Sequence, residues 1–188
     1  MARGLTSAVK TELATGNIDP IILLDLGFAS RVYLTNASFD ITSSVSGTSR
    51  TYQANGHFRG ITGISETNAP SKNSVVVNLS GVDQTYISIA LSENIINDDV
   101  FIYRGFLDAN QALIADPFLL FYGTIDEYKI TDTTKSASIN LIVTSHWGNF
   151  SKQSGRTTSD NSQKRFFSGD KGMEFSALTV SDIKWGRV

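Results

Sequence analysis

Apolar residues first recur at Leu5, Val9 and Leu13, one face of a 3.6-residue period, and predict a short amphipathic helix over Leu5–Ala14. Thr6 or Ser7 can cap its start and Gly16-Asn17 ends it. A helix of about ten residues is marginal by itself, so its apolar stripe must dock on something. From Pro20 the period changes. Ile21 to Phe28 is a dense apolar run broken by Asp25, with Pro20 at its head, where a missing N–H does least harm to a strand. A turn over Gly27–Arg31 then leads to a hairpin partner, Arg31–Leu34. Residues Thr42–Arg50 are rich in Ser, Thr and Gly and read as a loop. Thr51-Tyr52-Gln53 opens the next short strand, and Phe58–Ser65 forms a weaker one in which Gly60 and Gly63 mark bulges.

Further along, Ser74–Ser80 alternates with Val75, Val77 and Leu79 on one face. Asp83–Leu91 returns to helical spacing through Tyr86, Ile89 and Ala90, with Ile87 and Leu91 beside them. Asp99–Asp108 is a strand with apolar residues on both faces; Ala109-Asn110 turns it, and Leu113-Ile114 is a short return. Phe118–Thr131 is a long strand, apolar on both faces as far as Tyr122. After the turn at Asp132–Lys135, Ala137, Ile139, Leu141 and Val143 point one way, and Ser136, Ser138, Asn140 and Thr144 the other, with Ile142 among them. The expected fold is all-β, a sandwich or barrel of about eight antiparallel strands with two or three short helices. Antiparallel strands usually leave one face wet. The two-faced strands therefore call for a second β-layer or another subunit.

The organisation expected is a docking helix over 1–16, a β core over 17–150 and a polar C-terminal arm with a short terminal segment over 151–188. Within the arm, Ser151–Gly172 carries Lys152, Arg156, Lys164, Arg165 and Lys171 against Asp160 and Asp170, so five minus two gives +3. Phe166-Phe167 stands in the middle of it, and Met173–Leu178 reads as a helical turn. An arm that docks on an acidic partner suits this better than a nucleic-acid groove.

Composition narrows the function classes. The 188 residues carry 16 Lys+Arg against 18 Asp+Glu, a net charge of −2, which argues against a general nucleic-acid binder. There is no cysteine, which removes disulfide scaffolds, thiolate nucleophiles and cysteine metal sites. Charged residues make up only 18%, below the roughly 25% of an ordinary domain, and Ser and Thr take their place. Such a surface suits strands, and it suits a protein largely covered by other subunits. No apolar stretch approaches the 18–20 or so residues of a membrane span, and the N-terminus lacks the apolar core of a signal peptide. The protein is expected to stay where it is made, or to leave by lysis or within something larger.

Catalytic patterns are sparse. His57 and His146 have no neighbours at metal-ligand spacing, so structural roles are expected for both and no cofactor is implied. Asp98-Asp99 lies at a strand start, and Asp126-Glu127 lies within a strand, where adjacent side chains point to opposite faces. There is no Gly-x-Ser-x-Gly elbow, phosphate-binding glycine loop or calcium loop.

Several segments, in order, resemble one family. They are Ile18–Leu26 after the first helix, Gly63-Ile64-Ser65-Glu66-Thr67, Val77–Asp83, Ile102–Asp108, Leu120–Asp126, Phe167–Phe175 and Ile183-Lys184-Trp185-Gly186-Arg187. This set is similar to the tail-tip, or baseplate hub (distal tail), proteins of long-tailed bacteriophages and gene-transfer particles, over nearly the whole chain. The resemblance implies a tail-tube-like β domain and a non-enzymatic virion protein, assembled in the host cytoplasm. It implies a trimeric or hexameric ring joining the tail tube to the distal fibre or host-recognition apparatus, with the tube protein and other tail-tip proteins as partners. Some relatives carry cysteine-rich extensions that hold a metal cluster. This chain stops just after Trp185-Gly186-Arg187 and has no cysteine, so the metal or host-binding function of such extensions is not expected of it.

In that reading the helix Leu5–Ala14, with Leu5, Val9 and Leu13, and the arm Ser151–Gly172 clasp neighbouring subunits. Phe166, Phe167 and Trp185 are the expected buried anchors, because aromatic residues carry much of the energy of interfaces. The same three could instead fill the subunit's own core. Two rivals stand beside it. One is a carbohydrate-binding β-sandwich stacking sugars on Tyr52, Tyr103, Tyr122, Trp147 and Trp185; the other is a hydrolase with a dispersed site around His146 and Asp126.

Overall fold

The computed structural model describes residues 5–16, 19–45, 47–65, 71–82, 84–114, 117–133, 136–151 and 158–176. Among them are nine strands: β1 (Asp19–Leu26), β2 (Val32–Thr35), β3 (Ile41–Val45), β4 (Thr48–Tyr52), β5 (Phe58–Thr62), β6 (Ser74–Ser80), β7 (Asp99–Leu107), β8 (Phe118–Asp132) and β9 (Ala137–Ser145). Three α-helices accompany them: α1 (Ser7–Ala14), α2 (Thr85–Ser92) and α3 (Asp160–Phe166). The chain divides into two compact units, 1–150 and 151–188.

In the first unit seven strands form one antiparallel sheet in the order β2-β1-β7-β8-β9-β6-β5. The alternation read from the sequence decides its inner face. Leu24 and Leu26 of β1, Val100 and Ile102 of β7, Val75, Val77 and Leu79 of β6, and Ile139, Leu141 and Val143 of β9 are all buried there. Leu34 at one edge of the sheet and Phe58 at the other belong to this same core, so the sheet curls into a nearly closed barrel. Helix α2 packs Tyr86 and Ala90 into it, while Leu91 on its other side is exposed. Pro20 falls where β1 pairs with β7 alone, since β2 joins β1 only from Leu23 onward.

Residues 42–45 and 48–50 are strand rather than the expected loop. They belong to a hairpin of β3 and β4, paired from Ile41↔Tyr52 to Val45↔Thr48. This hairpin is the second β-layer that the two-faced strands required. Its Ile41, Val45 and Tyr52 pack on Ile21 and Leu23 of β1 and on Tyr103 and Leu107 of β7. The Ser and Thr content hid it, because only Ile41, Val45 and Tyr52 mark the buried side. Gly47, at φ +77°, serves the tight turn between the two strands.

Strand β8 changes phase twice. One register shift against β7 falls between Ile102 and Tyr103 and leaves Leu120 as an extra residue; another against β9 falls between Ile125 and Glu127 and leaves Asp126 extra. Ile125 is buried before the second shift, and Tyr128 and Ile130 pack on the core after it. Without the shift Glu127 and Lys129 would point inward instead. Of the two glycines expected at bulges, Gly60 (φ +132°) stands at the irregularity in β5, whereas Gly63 follows the strand.

In the second unit α3 was not legible as a helix, because it has no apolar stripe and buries no residue. Polar bonds hold it. Ser159 caps it by accepting from the Ser162 N–H at 3.3 Å, and Lys164 pairs with Asp160 at 2.8 Å. Gln163 Nε2 donates to Asp170 at 2.6 Å. Turns occupy the described part of Met173–Leu178: the Glu174 N–H bonds to the Lys171 carbonyl, and the Ser176 N–H to that of Met173.

Candidate functional site

The expected interface residues separate by environment. Val9 of α1 is buried, and Leu5 and Leu13 are half-buried. Phe166 and Phe167 are 63% and 57% exposed and do not fill a core; Phe175 in the same unit is 72% exposed. Trp185 lies outside the described residues.

Asp25, the acid that breaks the apolar run of β1, is fully buried on the face covered by the hairpin. Across the sheet it faces Tyr33 on one side and Phe101 on the other. Arg50 Nη1 of β4 donates to Asp25 Oδ2 at 2.6 Å, and Arg31 Nη1 donates to Oδ1 at 3.2 Å. Burial raises the Asp25 carboxyl above its ordinary value, although both guanidiniums pull it down. Tyr52 is pushed up to about 12, first by burial and then by the Asp25 charge. Arg50 lies near enough to act on Tyr52 electrostatically, yet no well-formed hydrogen bond closes between them: Tyr52 Oη and Arg50 Nε are both buried without a partner. A loop reading of Thr42–Arg50 could not find this lock, because Arg50 reaches Asp25 only when β3 and β4 pair. The signals for it were the lone acid in an apolar run and the Ile41–Val45 alternation.

Beyond the hairpin the same sheet face is open. Phe101 stacks on Tyr122 with centroids 4.7 Å apart, and Tyr122 Oη donates to Asp99 Oδ1 at 2.9 Å. That bond, more than burial, raises the Tyr122 phenol. Tyr122 is 42% exposed and Leu119 50%. Asp98, the residue before Asp99, is held above the ordinary carboxyl range by burial, then by the charges of Glu93 and Asp99. Among the described residues none of these three acids forms an ion pair.

The residues of the two rival readings lie in different settings. Tyr52 and Tyr103 are buried and cannot stack on a sugar; of the five aromatics proposed for that role, only Tyr122 and Trp147 present exposed rings among the described residues. Asp126 is held by Lys72 Nζ at 3.0 Å and by the Thr144 hydroxyl at 3.3 Å, and His146 lies edge-on to Trp147. His57 packs edge-on against Tyr86 at 5.3 Å. A groove of about 570 Å³ is lined by Glu12, Thr15, Asp19, Asp108 and Gln111, but among the described residues no group of three or more His, Asp or Glu converges as metal ligands would. No described helix is long and apolar enough to cross a membrane.

No family model matches this sequence, and no curated protein matches it. Among solved structures, the fold is similar to that of a chain in the virion of a native gene transfer agent particle, with a TM-score of 0.56 at 10% identity. The likeness covers 82% of this chain and 49% of the other, so this chain spans about half the length of its structural neighbour. At that identity the likeness is one of fold.

Proposed function

We propose that this chain is a structural protein of a phage-like virion, at the tail tip or baseplate hub. In this reading it forms a trimeric or hexameric ring and joins the tail tube to the distal fibre or host-recognition apparatus. The observation that carries the reading is the fold shared with a gene transfer agent virion chain over 82% of the present one. The ordered sequence segments that resemble tail-tip proteins give it the finer position. The reading requires function through shape: closed rings arise from head-to-tail contacts, and the described residues offer exposed aromatic anchors and an exposed aromatic patch for such contacts. The N-terminal helix, the β core and the polar arm would be its working parts, with α1 and the arm clasping neighbours.

Light scattering behind size-exclusion chromatography, on the full chain alone and mixed with a tail-tube protein, tests the proposal together with negative-stain imaging. A closed ring of three or six copies, or a ring seated on the tube, is the expected result. A chain that stays monomeric and ignores the tube would overturn it.

A further inference from the structure

On the assembly reading above, the open patch on β7 and β8 needs an occupant, and the same chain carries one of matching chemistry. The patch is a strip of Phe101, Tyr122 and Leu119, with Asp99 bonded to the Tyr122 hydroxyl; Asp98 next to it in sequence feels the charges of Glu93 and Asp99, and among the described residues no cation pairs with these acids. The second unit presents the complement. Phe167 and Phe175 are exposed at 57% and 72%, and the exposed Arg165 and Lys171 flank Phe167 in sequence. The segment Ser151–Gly172 as a whole carries +3 in a chain whose total is −2. Apolar anchors bordered by cations fit an aromatic strip bordered by carboxylates, and opposite charges also select the register of a contact.

We infer that the Phe101–Tyr122–Leu119 face of one copy is the docking site for the Phe167 segment of a second copy. The contact joins two different surfaces, head to tail, so it is the kind that closes into a ring or continues into a filament. Arg165 and Lys171 face the acids of the receiving copy, and Phe167 sits against Leu119 and the Tyr122 ring. The phenol–Asp99 bond holds that ring in place to receive it.

The absence of cysteine allows a clean test in the full-length protein. Two single variants, Leu119→Cys and Phe167→Cys, both at exposed positions, are purified, mixed and oxidised. The expected product is a disulfide-linked pair made of one chain of each kind, in excess over like-with-like pairs. A bond forming only within one chain, in the Leu119→Cys/Phe167→Cys double variant, would mean that the arm docks on its own subunit, and would overturn the inference. No bond in either format, while light scattering still shows association, would also overturn it yet leave the assembly reading standing. No bond and no association would remove both.

A charge-reversal pair supplies a second route. Arg165→Glu/Lys171→Glu and Glu93→Lys/Asp98→Lys should each weaken self-association by about tenfold or more, and mixing the two should restore it. Retained melting temperatures separate lost contacts from lost folding, and failure of the mixture to recover would count against contact between chains.

Discussion

At the scale of single residues, Asp25 is the most informative. It is the one buried carboxylate among the described residues, and two guanidiniums from different elements meet on it. Asp25→Asn should destabilise the fold by about 1–3 kcal/mol, since it replaces one of the two oxygens that accept from Arg31 and Arg50 with an amide donor in a buried site. The pH dependence carries a definite sign. A carboxyl whose native pKa is raised holds a proton that the unfolded chain has already released, so its contribution is full below the unfolded value near 3.8 and is lost as pH rises through the native value. The stability advantage of the natural chain over Asp25→Asn should therefore shrink from acid toward neutral pH in denaturant titrations. An advantage that grows with pH would show that Arg31 and Arg50 outweigh burial. The neighbouring Tyr52 hydroxyl has no hydrogen-bond partner, so Tyr52→Phe should be neutral or stabilising by up to about 1 kcal/mol. A Cβ at Gly123 would lie 2.3 Å from the Thr144 carbonyl oxygen, whereas one at Gly169 meets nothing within 4 Å. Thermal melts should show Gly123→Ala costing about 3 kcal/mol and Gly169→Ala within about 0.5 kcal/mol of zero.

At the scale of elements, what was legible follows from where the side chains go. β1, β6, β7 and β9 bury alternate or continuous apolar residues, and α2 shows a helical stripe, so their patterns survive in the sequence. β3 buries every second residue, but one of its three is Ser43, and β4 buries only Tyr52, so the composition resembles a loop. α3 escaped notice for the opposite reason: it is fixed by a cap, an ion pair and a glutamine–aspartate bond, none of which has a period. The candidate site was partly legible. Phe166 and Phe167 stood out as apolar residues in a polar segment, but the patch of Phe101, Leu119 and Tyr122 could not be separated from the core, because the hairpin's coverage stops short of it. The length of β8 was visible and its changes of phase were not. Deleting Asp126 should remove one of them while Ile125, Glu127 and Tyr128 keep Val143, Ile142 and Leu141 as partners and Glu127 and Lys129 stay outward, so circular dichroism should show a folded chain. Asp126→Ala keeps the spacing and should remain folded.

At the scale of the whole molecule, the first unit carries a double layer over part of one sheet face and leaves the rest of that face open. The second unit exposes phenylalanines and buries nothing in its helix. In an assembly, such surfaces make the exposed aromatic area a measure of completeness. If the reading proposed above holds, Phe167→Ala should weaken association by roughly thirtyfold with little change in melting temperature, because an exposed anchor contributes to the contact rather than to the subunit. Titration by analytical ultracentrifugation against the natural chain measures this directly.

The two extra residues in β8 also bear on descent. A one-residue shift in a strand exchanges its inward and outward sets, so a relative with a straight strand here would align with this chain only through a gap at residue 120 or 126. Placed without gaps, its core positions would fall opposite this chain's surface positions for half the strand. Ancestry in this barrel is therefore better traced through the ladder of paired backbones than through the order of letters.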